Sequence, residues 1–330
     1  MPKKLNRVSL FLSLALFGVG IAIFLSLLNS PPTETRRFLS FGVLQGESFK
    51  NIAVRLREEG IIRSQDFFYY LGRASGKSAD LKAGEYELNT LMTSWEVLRV
   101  ITGSSVKLYR ITIKEGMTMF QVAQLLDDLG LADKVQFLEL CWDPVLLEEL
   151  QIPSISVEGY LFPETYYLAR GTSVRKIIKS FVEMLWSKIP DEFLEQGREM
   201  QMSVHQAITM ASIIEKETGL AGEMGLISSA FHNRLKRGMK IQSDPTAIYD
   251  IMPYGGRVTR EHLFRQSPFN TYQIPGLPMT PISNPGILAI QAALHPQKTD
   301  YIFFVSRRDG SHHFSATYEE HRQAIEKFLK

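Results

Sequence analysis

The sequence predicts an α+β protein: an apolar N-terminal helix, then a small α/β region, then a mainly helical region carrying a small sheet. Three observations predict it. A run without any charged residue extends from Val8 to Leu28. A motif at Gly46-Glu47-Ser48-Phe49 returns seventy residues later at Gly116-Met117-Thr118-Met119. Beyond Asp143-Pro144, long helical periodicities alternate with Gly/Pro-rich loops. These divide the chain of 330 residues into expected regions 1–30, 31–150 and 151–330, within the size range of ordinary domains.

The apolar run has enough residues at 1.5 Å rise to cross a hydrocarbon core of roughly 30 Å. Lys3, Lys4 and Arg7 precede it, which predicts the amino terminus inside; Arg36 and Arg37 follow it and pull the other way. Leu27-Leu28-Asn29-Ser30-Pro31-Pro32 offers no small-x-small cleavage site, so an uncleaved anchor over 8–28 is expected rather than a signal peptide. The remainder is then expected outside the cytoplasmic membrane.

Composition narrows the function classes. Net charge is +2, and no basic stripe with interleaved aromatics argues for nucleic acid. The single cysteine, Cys141, excludes an intrachain disulfide and a cysteine-based metal site. Seven histidines include His312-His313, but no spacing resembles a metal site. Phosphate loops, dinucleotide fingerprints and Ser/His/Asp motifs are absent, so no metal or cofactor is expected.

Pro31 to Arg37 reads as a polar linker. Each copy of the repeat reads as a turn at Gly46 or Gly116, an N-cap at Ser48 or Thr118, and an amphipathic helix closed by Gly60 or Gly130. Leu81 to Leu88 alternates like a strand, Ser94 is the expected cap of a helix to about Thr102, and Val106 to Lys114 is a strand. The β-α pattern resembles the LysM fold, a small module that holds N-acetylglucosamine-containing glycans; a platform that binds nothing has the same pattern. Val157-Glu158-Gly159-Tyr160-Leu161-Phe162-Pro163-Glu164-Thr165-Tyr166-Tyr167 is dense in aromatics, which suits either stacking on sugars or a packed corner.

Helices are expected over Ser173–Lys188, Pro190 to about Met200, Ser203–Thr218 and Gly222–Lys236. Asp244 is the expected N-cap of a short helix with Pro245 at its first position. Loops at Pro253-Tyr254-Gly255-Gly256-Arg257, Phe269-Asn270-Thr271-Tyr272 and 276–286 look like the wall of a groove. Ile287–Leu294 and Thr317–Leu329 are helices; Tyr301–Ser306 and His312–Ser315 are strands.

The stretch that carries chemistry is Thr209-Met210-Ala211-Ser212-Ile213-Ile214-Glu215-Lys216-Glu217-Thr218-Gly219. An apolar run passes into three charged residues and stops at Gly219, the residue type that often closes a helix. A carboxyl half in the core and half in a cleft has its neutral form favoured by desolvation, as a general acid requires. Glu-Lys-Glu at a helix end also fits a solvated surface patch.

These residues resemble the endolytic murein transglycosylases, the YceG-like family. The carriers are Glu158-Gly159-Tyr160-Leu161-Phe162-Pro163, Ala211 to Thr218, Asn233-Arg234-Leu235, Gly238-Met239 and Gln242-Ser243-Asp244-Pro245-Thr246. Asn270-Thr271-Tyr272, Gly276-Leu277-Pro278 and Asn284-Pro285-Gly286 add to them. Departures are Met279, where Pro is common, and Glu164, where Asp is usual. The resemblance spans the anchor, the LysM-like region and the carboxy-terminal half. It implies cleavage of the β-1,4 bond between N-acetylmuramic acid and N-acetylglucosamine within peptidoglycan glycan strands, leaving a 1,6-anhydro end. It also implies a role in terminating glycan elongation, next to membrane-bound cell-wall synthases of a bacterial cytoplasmic membrane.

One carboxyl suffices for that reaction, because the muramyl C6 hydroxyl rather than water attacks C1. The resemblance assigns it to Glu217, with Glu215, about 200° away on the helix, the second candidate. Thr218 is the expected hydroxyl neighbour that orients the carboxyl or the substrate. Gln242, Asp244, Thr246, Asn270 and Tyr272 are candidates to grip acetamido and hydroxyl groups, and Glu158 fits either a hydrogen bond in the groove or a structural salt bridge. A two-carboxylate hydrolase using Asp244 or Glu158 as base, and a non-catalytic glycan-binding scaffold, are the alternatives.

Overall fold

The computed structural model describes residues 7–44, 46–103, 106–251 and 257–330. Lys3, Lys4 and the loop expected at 253–256 lie outside the described residues. The chain forms two compact units: residues 1–110 with 167–172, and residues 111–166 with 173–330.

The first unit begins with α1 (Arg7–Asn29), of which Leu10–Asn29 is long and apolar enough to cross a membrane. It continues through β1 (Phe38–Val43), α2 (Phe49–Glu58), α3 (Gln65–Ala74), β2 (Gly84–Asn89) and α4 (Ser94–Thr102). β1 and β2 pair antiparallel from Phe38 opposite Asn89 to Val43 opposite Gly84. Phe41, Val43, Tyr86 and Leu88 on the pair pack with Ile52, Leu56, Phe68, Leu98 and Ile101 of the helices in one core. The expected strand from Leu81 begins three residues later, at Gly84. α4 is capped by Thr93 rather than Ser94: the Thr93 hydroxyl accepts from Glu96 N while the Glu96 carboxylate accepts from Thr93 N, a capping box.

Then come β3 (Leu108–Thr112), α5 (Met119–Asp128), α6 (Lys134–Cys141), α7 (Pro144–Glu149) and β4 (Thr165–Ala169), which pairs with β3. The division between the units falls within both of these strands. The two copies of the repeat thus lie in different units, α2 in the first and α5 in the second. Their local geometry is the same. Ser48 and Thr118 cap with their side chains, Gly60 and Gly130 take φ of 70° and 61°, and Ile61 N and Leu131 N each return 2.9 Å to Leu56 O and Leu126 O. That is a left-handed helix stop adopted by glycine at no steric penalty.

The rest of the second unit is α8 (Val174–Lys188), α9 (Asp191–Glu199), α10 (Val204–Glu217), α11 (Ala221–Lys236), α12 (Asp244–Ile248), α13 (Arg260–Phe264), α14 (Ile287–Leu294), the antiparallel pair β5 (Phe303–Ser306) and β6 (His312–Ser315), and α15 (Tyr318–Phe328). α10 is the central helix, buried continuously from Ala207 to Ile214 and packed against α11 and α14. The architecture is a mixed α+β fold of helices and small sheets with one apolar N-terminal helix.

The aromatic stretch 157–167 is core, not a sugar platform. Val157, Tyr160, Leu161, Phe162 and Tyr166 are buried, and only Tyr167 of its rings is exposed. Tyr160 is bonded to His205 Nδ1 at 3.0 Å, and the Tyr166 hydroxyl donates to Phe162 O at 2.7 Å. Gly159 holds φ +87°, and a Cβ there would lie 2.5 Å from Pro281.

Candidate active site

α10 ends without a glycine cap. Thr218 swings to φ −146°, ψ 140°, and its hydroxyl accepts from Leu220 N at 3.0 Å. Gly219 is not in the left-handed region, so the extended Thr218 and not Gly219 stops the helix. This exit presents Glu215 and Glu217 to different surroundings.

Glu215 is half-buried and spends one carboxylate oxygen on the N-terminus of α14, accepting from Gly286 N at 2.9 Å. Burial raises its pKa, and Glu115 raises it further; the Gly286 bond opposes both. Its carboxyl is spent on that helix terminus rather than left free.

Glu217 is enclosed by protein but keeps part of its surface open to solvent. Its Oε1 accepts from the hydroxyl of Ser243, the N-cap residue of α12. Burial pushes its pKa to about 7 and Asp244 adds to the rise; the Ser243 bond and the charges of His312 and Arg234 pull it down. At neutral pH this carboxyl therefore exists in both protonation states, as a group that must give a proton and then take one requires.

The loops around Glu217 are locked from behind. Ser243 N donates to Thr271 Oγ1 at 3.0 Å, and the Thr246 hydroxyl donates to Ser243 O at 2.6 Å. Thr246 and Thr271 are bonded at 2.7 Å. The Asn270 amide donates to His262 O and Arg265 O at 3.0 and 2.7 Å, while its oxygen accepts from Tyr272 N. Thr246 and Asn270 are fully buried, so they hold these loops together rather than face solvent. Asp244 is the first residue of α12, not its N-cap, and receives the Tyr272 hydroxyl at 2.6 Å. Gln242 is exposed at φ 52°, a left-handed conformation that a side chain adopts only at some strain.

Glu158 makes no salt bridge among the described residues. It is fully buried and accepts from Met119 N at 3.0 Å, Asn284 Nδ2 at 3.1 Å and the Tyr249 hydroxyl at 2.7 Å. Burial raises its pKa to about 7 against the pull of the Tyr249 and Met119 bonds. Met119 is the first residue of α5, so Glu158 ties that helix N-terminus to α12 through Tyr249. Asn284 closes the knot, its oxygen accepting from Gly159 N and Leu161 N at 3.0 and 2.9 Å.

Thus Asp244 and Tyr272 lie close enough to Glu217 to act on its charge, Gln242 is exposed two residues before Asp244, and Thr246 and Asn270 are buried behind. Glu215, Glu158 and the Thr218 hydroxyl serve the scaffold. Sequence reasoning missed three contributors. Ser243 makes the hydroxyl contact expected of Thr218. Arg234 is buried and donates from Nε to Ile302 O at 2.7 Å. His312 is bonded through Nδ1 to Glu223 at 2.8 Å. Ser243 and Arg234 lie inside the quoted motifs, so proximity to Glu217 was the missing information; His312 had no local signal.

Comparison with known proteins identifies the family. The model of the YceG-like family matches residues 41–327. A Bacillus subtilis protein named endolytic murein transglycosylase is 32% identical over 320 residues, covering 92% of this chain and 88% of its own length. A Streptococcus pneumoniae protein of the same name is 25% identical over 88% of this chain, which spans 58% of that longer relative. A crystal structure of a yceG-like protein from Listeria monocytogenes superposes with a TM-score of 0.60 at 30% identity, covering 88% of this chain and all of its own. The chain belongs to the YceG-like family.

Proposed function

We infer that this protein is an endolytic murein transglycosylase that cleaves the N-acetylmuramic acid–N-acetylglucosamine β-1,4 bond within peptidoglycan glycan strands. The observation that carries the reading is Glu217: a carboxyl at the end of a buried helix, oriented by one hydroxyl, partly open to solvent and held near pKa 7. Protonated Glu217 donates to the glycosidic oxygen as the C1–O bond breaks. The carboxylate so formed accepts the proton of the muramyl C6 hydroxyl as O6 bonds to C1. The products are a 1,6-anhydro end and a free N-acetylglucosamine end, Glu217 is again protonated, and no water is consumed.

Asp244 and Tyr272 beside Glu217, with the exposed Gln242, are the residues we assign to gripping the glycan. Thr246, Asn270 and Glu158 support these residues from within, and Glu215 keeps α14 in place. A hydrolase would need a second carboxylate to activate water. Glu158 is buried and bonded on both oxygens, which leaves only Asp244, so product chemistry separates the two readings: anhydro ends for the transglycosylase, reducing ends for the hydrolase.

The apolar helix α1 supports a single-pass anchor in a bacterial cytoplasmic membrane, with the amino terminus inside and the catalytic region outside. Such an anchor keeps the cleft near newly made strands and near the membrane-bound synthases that extend them. A LysM-like, glycan-holding role for the α/β region rests on the repeat pattern of 46–56 and 116–126. Incubating the full chain with sacculi, and with polymeric glycan lacking stem peptides, tests the substrate: cleavage internal to the strands supports the reading, and release of terminal disaccharides alone contradicts it.

A further inference from the structure

Arg36 and Arg37 follow the apolar span on the side where basic residues are disfavoured, and catalysis gives them no task. The structure adds Arg63 and Arg99 to them. The outer end of α1 is bonded to the start of α4: Asn29 Oδ1 accepts from Trp95 N at 3.0 Å, and Leu28 O accepts from the Ser94 hydroxyl at 3.4 Å. Arg63 Nε donates to Pro31 O at 2.9 Å. α4 therefore starts where the span leaves the hydrocarbon. Trp95 and Arg99, four residues apart and so on one helix face, are both exposed. A cleft lined by Arg36, Asn89, Met92, Arg99 and Val100 opens on the same unit. Glu96 also borders it, but its carboxylate is engaged by Thr93 N and the Thr93 hydroxyl at 2.8 and 2.9 Å. Neither Arg36 nor Arg99 forms an ion pair with any described carboxylate, whereas Arg55, Arg170 and Arg175 of the chain do. Exposed Phe38 lies under the Arg36 guanidinium, 6.0 Å from ring centre to charge.

We propose that this cleft is a binding site for the phosphate of an anionic phospholipid headgroup, and that it fixes the first unit against the bilayer surface. Two unpaired guanidiniums supply phosphate donors. Trp95 supplies the amphipathic ring that settles at headgroup depth, and Met92 and Val100 supply an apolar floor for the upper acyl chain. The occupant is a lipid because the anchor's hydrogen bonds to α4 hold the cleft at the end of the membrane span. The proposal rests on α1 as a membrane span and is independent of the assignment of Glu217.

The test is native mass spectrometry of the full chain released from detergent micelles, titrated with phosphatidylglycerol and with phosphatidylcholine. Each basic residue near an anionic surface contributes roughly fivefold in affinity. The site predicts tighter binding of phosphatidylglycerol, weakened about 25-fold in R36Q/R99Q and unchanged in R198Q/R237Q, which removes the same charge from exposed positions of the second unit. Equal affinity for the two lipids, or equal losses in both double variants, would overturn it. So would displacement of phosphatidylglycerol by millimolar glycerol 1-phosphate, which would make the cleft a soluble-phosphate site. Glycan cleavage by R36Q/R99Q, measured on soluble strands in detergent, stays at the wild-type rate.

Discussion

Ser243 decides how acidic Glu217 is. Its hydroxyl favours the carboxylate, so Ser243→Ala raises the Glu217 pKa above about 7 and moves the alkaline limb of the pH–rate profile upward. The maximal rate falls a few-fold because the carboxyl loses the side-chain hydrogen bond that orients it. In the wild-type protein the proton donor is the neutral acid. Its fraction falls as pH rises through about 7, so kcat/KM declines about tenfold per unit above that value and is flat below it. Steady-state rates across pH 5 to 9 check both statements. Glu215 makes the contrast at the same helix end. Glu215→Ala removes the bond to Gly286 N, costs roughly 1–3 kcal/mol in chemical denaturation, and leaves cleavage within about tenfold of wild type.

At the scale of elements, the packing around α10 depends on the stretch 157–162 and the loop 280–286 closing on it. Gly159→Ala demands a Cβ 2.5 Å from Pro281 at φ +87°. We expect a loss above about 2 kcal/mol, from overpacking together with left-handed strain, seen as a lowered midpoint in urea. The helices were legible in the sequence because their caps are local: Ser48, Thr118, Ser203 and Thr317 each cap the helix that follows. α12 was displaced by one residue because Asp244 and Ser243 are both good N-caps by type, and the choice is made by Glu217 and Thr271, which hold Ser243 from other elements. The same limit explains Thr246 and Asn270. Polar residues in a loop read as a ligand surface, yet their partners are backbone carbonyls and hydroxyls brought from elsewhere in the fold. The aromatic run 157–167 misled for the opposite reason: the rings that suit sugar stacking also fill a core, and composition cannot separate the two uses.

Over the whole molecule, the fold keeps two carboxyls, Glu158 and Glu217, at pKa values near 7 against an ordinary 4.5. Folded-state values above unfolded ones mean that the native chain binds more protons between those limits. The stabilisation is complete below about pH 4.5 and is lost as pH rises through about 7. For Glu217 alone the shift corresponds to at most about 3 kcal/mol, less what its solvent-open edge screens. The full chain should therefore melt lower at pH 8 than pH 6, and Glu217→Gln should flatten part of that slope. A slope unchanged by the substitution would contradict the burial of this acid. The two-unit division was not legible from the repeat, which suggested one region holding both copies. Local turn and cap chemistry repeats at 46–61 and 116–131, but the second copy is claimed by the core of the second unit, where Glu158 holds the Met119 end of α5.

The central claim is that Glu217 cleaves glycan strands without water. Mass spectrometry of strands incubated with the full chain, with Glu217→Gln and with Glu215→Gln reads both the reaction and the residue. The account predicts 1,6-anhydro-muramyl ends from the wild type and Glu215→Gln, and a drop of at least about a thousandfold with Glu217→Gln. Reducing muramyl ends, or anhydro ends that persist with Glu217→Gln, would contradict it.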